Sequence, residues 1–394
     1  MNSPLPGLAF ATSRTWAEVD LGAIAHNVRA LRALLPPQTA FMAVVKADAY
    51  GHGLVPVAEA ALEAGATWLG VATPEEALDL RAAGLGARIL VLGPVDPSWL
   101  PALAAARCAL TAADRAALEA ARRLSSDERP RIHLKVDTGM RRLGTTLEDL
   151  EALLDAVDRD RLVVEGVFTH LACADEPDPS MTRFQLAAFR EATGMVRARF
   201  PGALAHAANS AAVMAHPEAA LDLVRVGIAL YGAPPAPHLR SPALRPAMSV
   251  RSRVVRVQRV AEGTSVSYGA TYRAPRPTAI ATVPVGYADG YPRALSNVGT
   301  MLVGGIRHRV AGRVCMDYTM FDVGEAPVRV GDEVTVFGSG LGADEVAQAA
   351  GTIPHELFCR VGRRLPRIYL RDGRPVAIAA TVPAAVRPVG IEVR

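Results

Sequence analysis

Between residues 20 and 240 two kinds of segment take turns along the chain. Short apolar runs rich in β-branched residues occur at 41–46 (FMAVVK), 68–72, 88–92, 108–111, 131–137 (RIHLKVD), 163–170 (VVEGVFTH), 204–209 and 223–230. Between them lie Ala/Leu/Glu/Arg-rich stretches with apolar positions at helical spacing, at 52–65, 74–83, 112–124, 146–158 and 181–198. Thr73-Pro74 and Asp96-Pro97 read as helix starts, a capping side chain followed by a proline of the first turn. Strands that alternate with helices form a parallel sheet, and eight such units are the number that closes a (β/α)8 barrel. The competing architecture is an open doubly wound sheet. Against it, no G-x-G-x-x-G follows the first strand, and polar residues gather after many strands rather than at one switch point.

After about residue 240 the texture changes. Runs such as SVRSRVVRVQRV, TAIATVPVGYA, GTMLVGGIRHRV and DEVTVFG are short and alternating, with frequent Pro and Gly, and predict a mainly antiparallel β domain. The Ala-Pro-Pro-Ala-Pro segment at 233–237 reads as the linker. The division is therefore 1–240 for the barrel and 241–394 for the β domain.

Composition narrows the function classes. Of 394 residues half are hydrophobic and 21% charged, which fits a large core and excludes extended disorder. A net charge of +4 on scattered arginines excludes a nucleic-acid partner. Cys108, Cys173, Cys315 and Cys359 stand apart without a C-x-x-C pair, as reduced thiols do, and no metal site is called for. The N-terminal residues lack a basic segment followed by a long apolar run, and no apolar stretch is long enough for a span. The expectation is a cytoplasmic protein with no membrane partner.

In a barrel of this kind the active site lies at the C-terminal ends of the strands. Lys46 ends the first run, with Asp48, Tyr50 and His52 behind it. Lys135 and Asp137 end the fifth, before Arg141 and Arg142; His170 ends the sixth; His206, Asn209 and Ser210 follow the seventh, and Arg225 and Gly227 lie in the eighth. Each alone has an ordinary reading: a solvated strand end, a hydrogen-bonded core histidine, a turn glycine. Polar groups from five strands meeting at one mouth is what points to chemistry.

The words AVVKADAYGHG, KVDTGMRRLG, FTHLACAD, HAANSAA, RVGIALYG, VSYGATY, VGYADGYPR and GRVCMD, in this order from about residue 15 to 370, closely resemble the alanine racemase family. The resemblance implies a pyridoxal 5'-phosphate-binding barrel followed by a β domain, and interconversion of L- and D-alanine, the D-isomer serving peptidoglycan synthesis. It makes Lys46 the lysine in Schiff-base linkage with the cofactor and one of two bases; an amine desolvated in a closed pocket is nucleophilic near neutrality. Tyr268 is the second base, His170 its hydrogen-bond partner, and Arg225, backed by His206, the group facing the pyridine nitrogen. An arginine there can only donate, so the ring nitrogen stays unprotonated and side reactions of a more delocalised carbanion are restrained. Tyr50, Asn209, Ser210, Gly227 and Ile228 correspond to the phosphate site. Arg142, Met316, Asp317 and Tyr287 correspond to substrate-binding positions, and Asp175, Arg293 and Arg313 to the substrate entrance. Lys135 corresponds to a lysine often carbamylated, its carbamate pairing with Arg142. The family also implies a homodimer with composite sites, Tyr268 and the Met316 loop being supplied by the second copy.

Two positions depart from the family pattern. Arg363 stands where many relatives carry a second gating tyrosine, and Arg141 replaces the more usual glycine. Three further readings stand beside the first: a racemase of wider specificity for serine or basic amino acids, a basic amino-acid decarboxylase, and a non-enzymatic cofactor-carrying barrel. Arg225 and HAANSAA argue against the decarboxylase, and the extra domain with Tyr268 argues against the carrier.

Overall fold

The structure is a computed structural model that describes residues 7–124, 129–239 and 242–379. By its internal contacts the chain divides into two compact units. One gathers Ile24–Ala49 and Leu54–Arg245; the other gathers Met1–Ala23, Tyr50–Gly53 and Pro246–Arg394.

The first unit is the barrel. After β1 (Thr15–Asp20), eight strands run parallel: β2 (Ala40–Val44), β3 (Trp68–Val71), β4 (Arg88–Val91), β5 (Leu110–Ala112), β6 (Arg131–Lys135), β7 (Val163–Phe168), β8 (Leu204–His206) and β9 (Leu223–Val226). Continuous pairing gives the orders β4-β3-β2-β9 and β5-β6-β7-β8. Two seams join them. Leu90 bridges Ala109 at β4–β5, and the N–H groups of Asp222 and Arg225 donate to Ala205 and Ala208 at β8–β9. The ring of eight is thus closed. Its apolar floor includes Met42, Trp68, Leu90 and Leu223, all almost fully buried.

Helix starts follow the sequence closely. Thr73 accepts from the Glu76 N–H while Glu76 reaches back to the Thr73 N–H, a complete capping box before Pro74–Ala82. Asp96 caps a 3-10 turn at Pro97–Trp99 that leads into Leu100–Ala105. The helix expected over 52–65 spans Leu54–Glu63. The runs read as 204–209 and 223–230 are shorter as strands, because Asn209 turns out of the sheet to cap Ser210–Ala215 and Gly227 opens a 3-10 turn.

The second unit is mainly antiparallel. Its strands are β10 (Met248–Arg253), β11 (Arg256–Val260), β12 (Ser265–Val266), β13 (Tyr272–Arg273), β14 (Thr278–Val283), β15 (Thr300–Val303), β16 (Ile306–Arg309), β17 (Thr319–Gly324), β18 (Glu333–Phe337), β19 (Arg367–Arg371) and β20 (Arg374–Ala379). A seven-stranded sheet has the order β16-β15-β18-β10-β1-β19-β20, and a three-stranded one the order β11-β14-β17. The single division at residue 240 is amended here. Strand β1 belongs to this unit, antiparallel to β10 and parallel to β19, because its ladder groups pair Ala17 with Val250 on one side and Arg367 on the other. Among the described residues no helix is long and apolar enough to cross a membrane.

Candidate active site

Lys46 follows β2 and opens an unusual turn. Ala47, Asp48, Ala49 and Tyr50 all have φ between 51° and 55°, a left-handed helical turn built without glycine. Left-handed backbone costs an L-residue roughly 1–2 kcal/mol, so the turn persists only because neighbours fix it. Within the barrel unit, Glu76 accepts the Ala47 N–H at 2.5 Å and Asp48 accepts the Leu54 N–H at 2.8 Å. The reading of 41–46 as a strand ending at Lys46 is corrected accordingly: the strand stops at Val44.

Four cationic side chains converge on the barrel mouth: Lys46, Lys135, Arg142 and Arg225. Lys135 ends β6, is 6% exposed, and stands 4.6 Å from the centroid of Phe168. Burial, then Arg225, Arg142 and Lys46, push its amine down to about 7, with Asp137 opposing. Arg142 is exposed on the segment after β6. Arg141 before it holds φ 56°, the left-handed conformation that glycine adopts freely. Its N–H, with that of Gly139, is taken up by the Asp137 carboxylate, which supports a residue other than glycine there.

Arg225 on β9 is the centre of the mouth. Nη1 donates to His206 O at 2.9 Å and lies 3.1 Å from His206 Nδ1. Nη2 donates to Thr169 O at 2.6 Å and Ala207 O at 3.1 Å, and lies 3.4 Å from His170 Nδ1. Both terminal nitrogens are thereby committed, and only the Nε–H has no partner among the described residues. Burial and then Arg142 push the guanidinium down to about 9, which leaves it charged at neutral pH. His170 is pushed down to about 3 by burial and then by Arg225, Arg142, Lys135 and Lys46, and His206 falls well below its ordinary value for the same leading reason. Both imidazoles are neutral.

A second polar cluster sits beside it. The Ser210 hydroxyl oxygen accepts the N–H groups of Gly227 at 3.0 Å and Ala229 at 3.3 Å, so its own proton is free to be donated outward. Asn209 caps the following helix through Ala212. Ile228 opens a 3-10 turn that does not use its N–H. These donors suit a phosphate, and the uncommitted Nε–H of Arg225 suits a ring nitrogen that accepts one hydrogen bond. The residues fit pyridoxal phosphate.

The remaining expected residues lie in the β unit. Tyr268 occupies a 3-10 turn after Ser267 and is 70% exposed. The Tyr287 and Met316 loops are stitched together: the Tyr287 and Ala288 N–H groups donate to Cys315 O and Met316 O at 3.1 Å. Gly286 permits this, since a Cβ there would stand 2.3 Å from both of those carbonyl oxygens. Asp317 pairs with Arg364 at 2.8 Å, and Arg364 also approaches the buried Asp289, which Arg14 grips through both carboxylate oxygens. Met316, Tyr318 and Tyr287 are exposed beside this network. Tyr50 groups by its contacts with this unit, buried near His355, and Arg363 is exposed. Arg293 and Arg313 lie in the same unit, whereas Asp175 lies in the barrel unit.

Sequence reasoning missed three residues. His133 on β6 lies 2.8 Å from His206, Glu165 on β7 lies 3.4 Å from His133, and Phe168 stacks on His206 with 4.8 Å between centroids. The available signal was a glutamate inside an otherwise apolar run, VVEGVF. A separate cavity of about 830 Å³ opens at the N-terminal end of the barrel beside Trp68, Arg88 and Asp222, away from the mouth.

Comparison with known proteins accords with this geometry. A family model for the alanine racemase N-terminal domain matches residues 19–235, and one for the C-terminal domain matches residues 247–369. An alanine racemase of Desulforamulus reducens is 47% identical over 364 residues, covering 90% of this chain and 98% of its own. One of Symbiobacterium thermophilum is 48% identical over 371 residues, covering 90% and 97%. Among solved structures, the alanine racemase of Streptomyces lavendulae superposes with a TM-score of 0.84 at 44% identity, covering 91% of this chain and 97% of its own. That of Bacillus anthracis with bound L-Ala-P gives 0.87 at 38% identity, covering 93% and 97%. With both domain models matched in order and relatives aligned nearly end to end, the chain belongs to the alanine racemase family of pyridoxal-phosphate-dependent amino-acid racemases.

Proposed function

We propose that the chain interconverts L- and D-alanine with pyridoxal 5'-phosphate, using Lys46 and, from a second copy, Tyr268 as opposed bases. The observation that carries this reading is Arg225, whose terminal nitrogens are committed to carbonyls and neutral histidines while its Nε–H is left to face a ligand. When bound, the cofactor supplies an electron-withdrawing ring that acidifies the Cα–H of the attached amino acid.

The chain's own residues do the rest. Lys46 would hold the cofactor covalently and, once released, take or return the proton on one face of Cα. Ser210, Gly227 and Ile228, with Asn209 and Tyr50, would bind the phosphate, and Arg225 the ring nitrogen. His170 accepts from Arg225 at Nδ1, so its proton sits on Nε2, where it can donate to the Tyr268 oxygen and lower the cost of its ionised form. Arg142 and the Met316 backbone N–H would take the substrate carboxylate, with Asp317 and Tyr287 shaping that side. Lys135, with its amine at about 7, is partly neutral and suited to adding carbon dioxide, one proton being released; the resulting carbamate would neutralise Arg142.

A homodimer fits the exposure of Tyr268, Met316, Tyr318 and Tyr287 on one unit, apolar surface that a second copy can cover. A cytoplasmic supply of D-alanine for peptidoglycan follows from the same reading. The test is a racemisation assay across the amino acids with added pyridoxal phosphate, read by chiral chromatography. Alanine is expected to lead serine and lysine in kcat/KM by about 100-fold, the scale that one misfitting group costs. Comparable rates on serine or lysine establish the broader racemase instead, and no racemisation of any amino acid overturns the proposal.

A further inference from the structure

We propose that Glu165 and His133 are positioning residues that fix Arg225 from inside the barrel by imposing one proton arrangement on His206, the histidine between His133 and Arg225. The inference rests on the role given to Arg225 above and asks what holds that guanidinium in place.

Hydrogen-bond valence sets the proton positions along this row. A guanidinium only donates, and Arg225 Nη1 stands 3.1 Å from His206 Nδ1, so that nitrogen carries a lone pair. Neutral His206 therefore keeps its proton on Nε2, which lies 2.8 Å from His133 Nδ1. His133 Nδ1 must accept, and its proton moves to Nε2, 3.4 Å from a Glu165 carboxylate oxygen. The carboxylate ends the chain as an ion-pair partner, attracting that N–H at 3.4 Å without hydrogen-bond geometry. Were Glu165 absent, His133 could carry its proton on Nδ1, His206 would have to reverse, and an N–H would face an N–H at Arg225.

Independent features show that this row is built rather than incidental. The β6–β7 ladder pairs Ile132 with Val164 but His133 with Gly166, so Glu165 is the extra residue of a β-bulge, a device that re-aims a side chain. Gly166 next to it makes room for the imidazole: a Cβ there would meet His133 Nδ1 at 2.4 Å. Phe168 stacks on His206 and Trp68 meets His133 edge-on at 5.3 Å, which fixes both rings. Barrel interiors are ordinarily filled with Val, Ile and Leu. Glu165 is the one buried carboxylate of the barrel unit among the described residues. Burial raises its pKa, but His133, Arg131 and Arg88 outweigh that and hold it below the usual range, hence ionised. Its negative charge answers the cations of the mouth through two polarised rings.

The experiment is imidazole nitrogen-15 NMR on the full-length, cofactor-loaded protein labelled in histidine, combined with cofactor affinity by fluorescence titration. The expected wild-type spectrum has His206 and His133 both neutral with the proton on Nε2. A proton on His206 Nδ1, or an imidazolium at either residue, overturns the proposal whatever the variants do. Glu165→Gln keeps an acceptor oxygen and should retain the tautomers, with affinity within about threefold. Glu165→Leu should shift the His206 resonances and weaken cofactor binding about tenfold, the change that one lost hydrogen-bond partner produces. If Glu165→Leu only lowers the melting temperature, leaving tautomers and affinity unchanged, the role is structural and the proposal fails. Should Glu165→Leu not fold, the wild-type and Glu165→Gln spectra decide. Failure of the racemase reading shows separately, as wild-type protein that has these tautomers and binds cofactor but racemises nothing.

Discussion

His170 presents its Nδ1 lone pair to the Arg225 guanidinium, 3.4 Å away, and so cannot hold a proton on that nitrogen without losing the contact. Burial and the surrounding cations agree, placing His170 at about 3. The unfolded chain takes up that proton near 6.5 and the folded chain does not, so stability from this group is complete above 6.5 and drains away as the pH falls toward 3. Each histidine of this kind adds about 1.4 kcal/mol per pH unit to the loss across that window. Denaturant midpoints at pH 7.5 and pH 5 should therefore differ, and His170→Asn should narrow the gap. An unchanged gap would show that the folded imidazole takes up its proton near 6.5.

Lys46→Ala removes the amine placed at the mouth by β2 and the left-handed turn. Racemisation should fall in both directions by on the order of 10³-fold or more, since one group serves as both tether and base. The absorption band of covalently bound cofactor should vanish with it. Borohydride reduction of the wild type followed by peptide mapping checks the assignment; a pyridoxyl label on any other lysine refutes it.

Arg225→Glu replaces a donor with a group that can share a proton with the ring nitrogen. The variant should transaminate more often, by tenfold or so relative to racemisation if the altered partition amounts to about 1.4 kcal/mol. Pyridoxamine phosphate formed per racemisation event is the readout. Unchanged partitioning means that this arginine does not control fidelity. The variant should also be less stable, because the carboxylate would face the carbonyls of Thr169, His206 and Ala207.

Lys135 is expected to carry a carbamate. Carbon-13 NMR in labelled bicarbonate should reveal one enriched resonance that disappears in Lys135→Met. Activity of Lys135→Met should drop about tenfold or more, and small carboxylates added to Lys135→Ala should restore part of it by supplying the missing negative charge beside Arg142. A wild-type protein without the resonance, at saturating bicarbonate, rules the modification out.

Lys46→Ala and Tyr268→Phe are each expected to be inactive. Mixed after reversible dissociation, they should regain activity toward half of wild type per mixed dimer, because one of its two sites would hold both bases. Verified mixed dimers that stay inactive, with each variant folded and Tyr268→Phe binding cofactor, would place both bases in one copy.

Much of this was legible in the chain because it is written in local chemistry. The βα alternation and the capping residues Thr73 and Asp96 are short-range signals, and the polar strand ends fell at the mouth where a barrel puts them. What escaped is non-local. The left-handed turn at 47–50 carries no glycine to announce it and is held by Glu76 and Asp48 through tertiary bonds. Glu165 reads as a stray polar residue in a strand, since alternation assigns faces by counting and a bulge shifts the count by one. Residues 15–20 precede the alternating region and fall inside the span 1–240 given to the barrel, and only the pairing of β1 with β10 and β19 assigns them to the β unit.

That last pairing has a consequence for how the protein is made. Residues 15–20 leave the ribosome some 350 residues ahead of β19 at Arg367–Arg371. At about 5–20 residues per second this is a wait of roughly 20–70 s. The barrel strands are complete once Val226 has emerged, so that unit can close while TWAEVD, four of whose six residues are buried in the finished sheet, is still without neighbours. Translation halted after Val226 but before β10 would leave a closed barrel trailing an apolar strand with both edges open, and a halt between β10 and β19 would leave one edge open; either species is prone to pair with other chains and a natural target for holding chaperones.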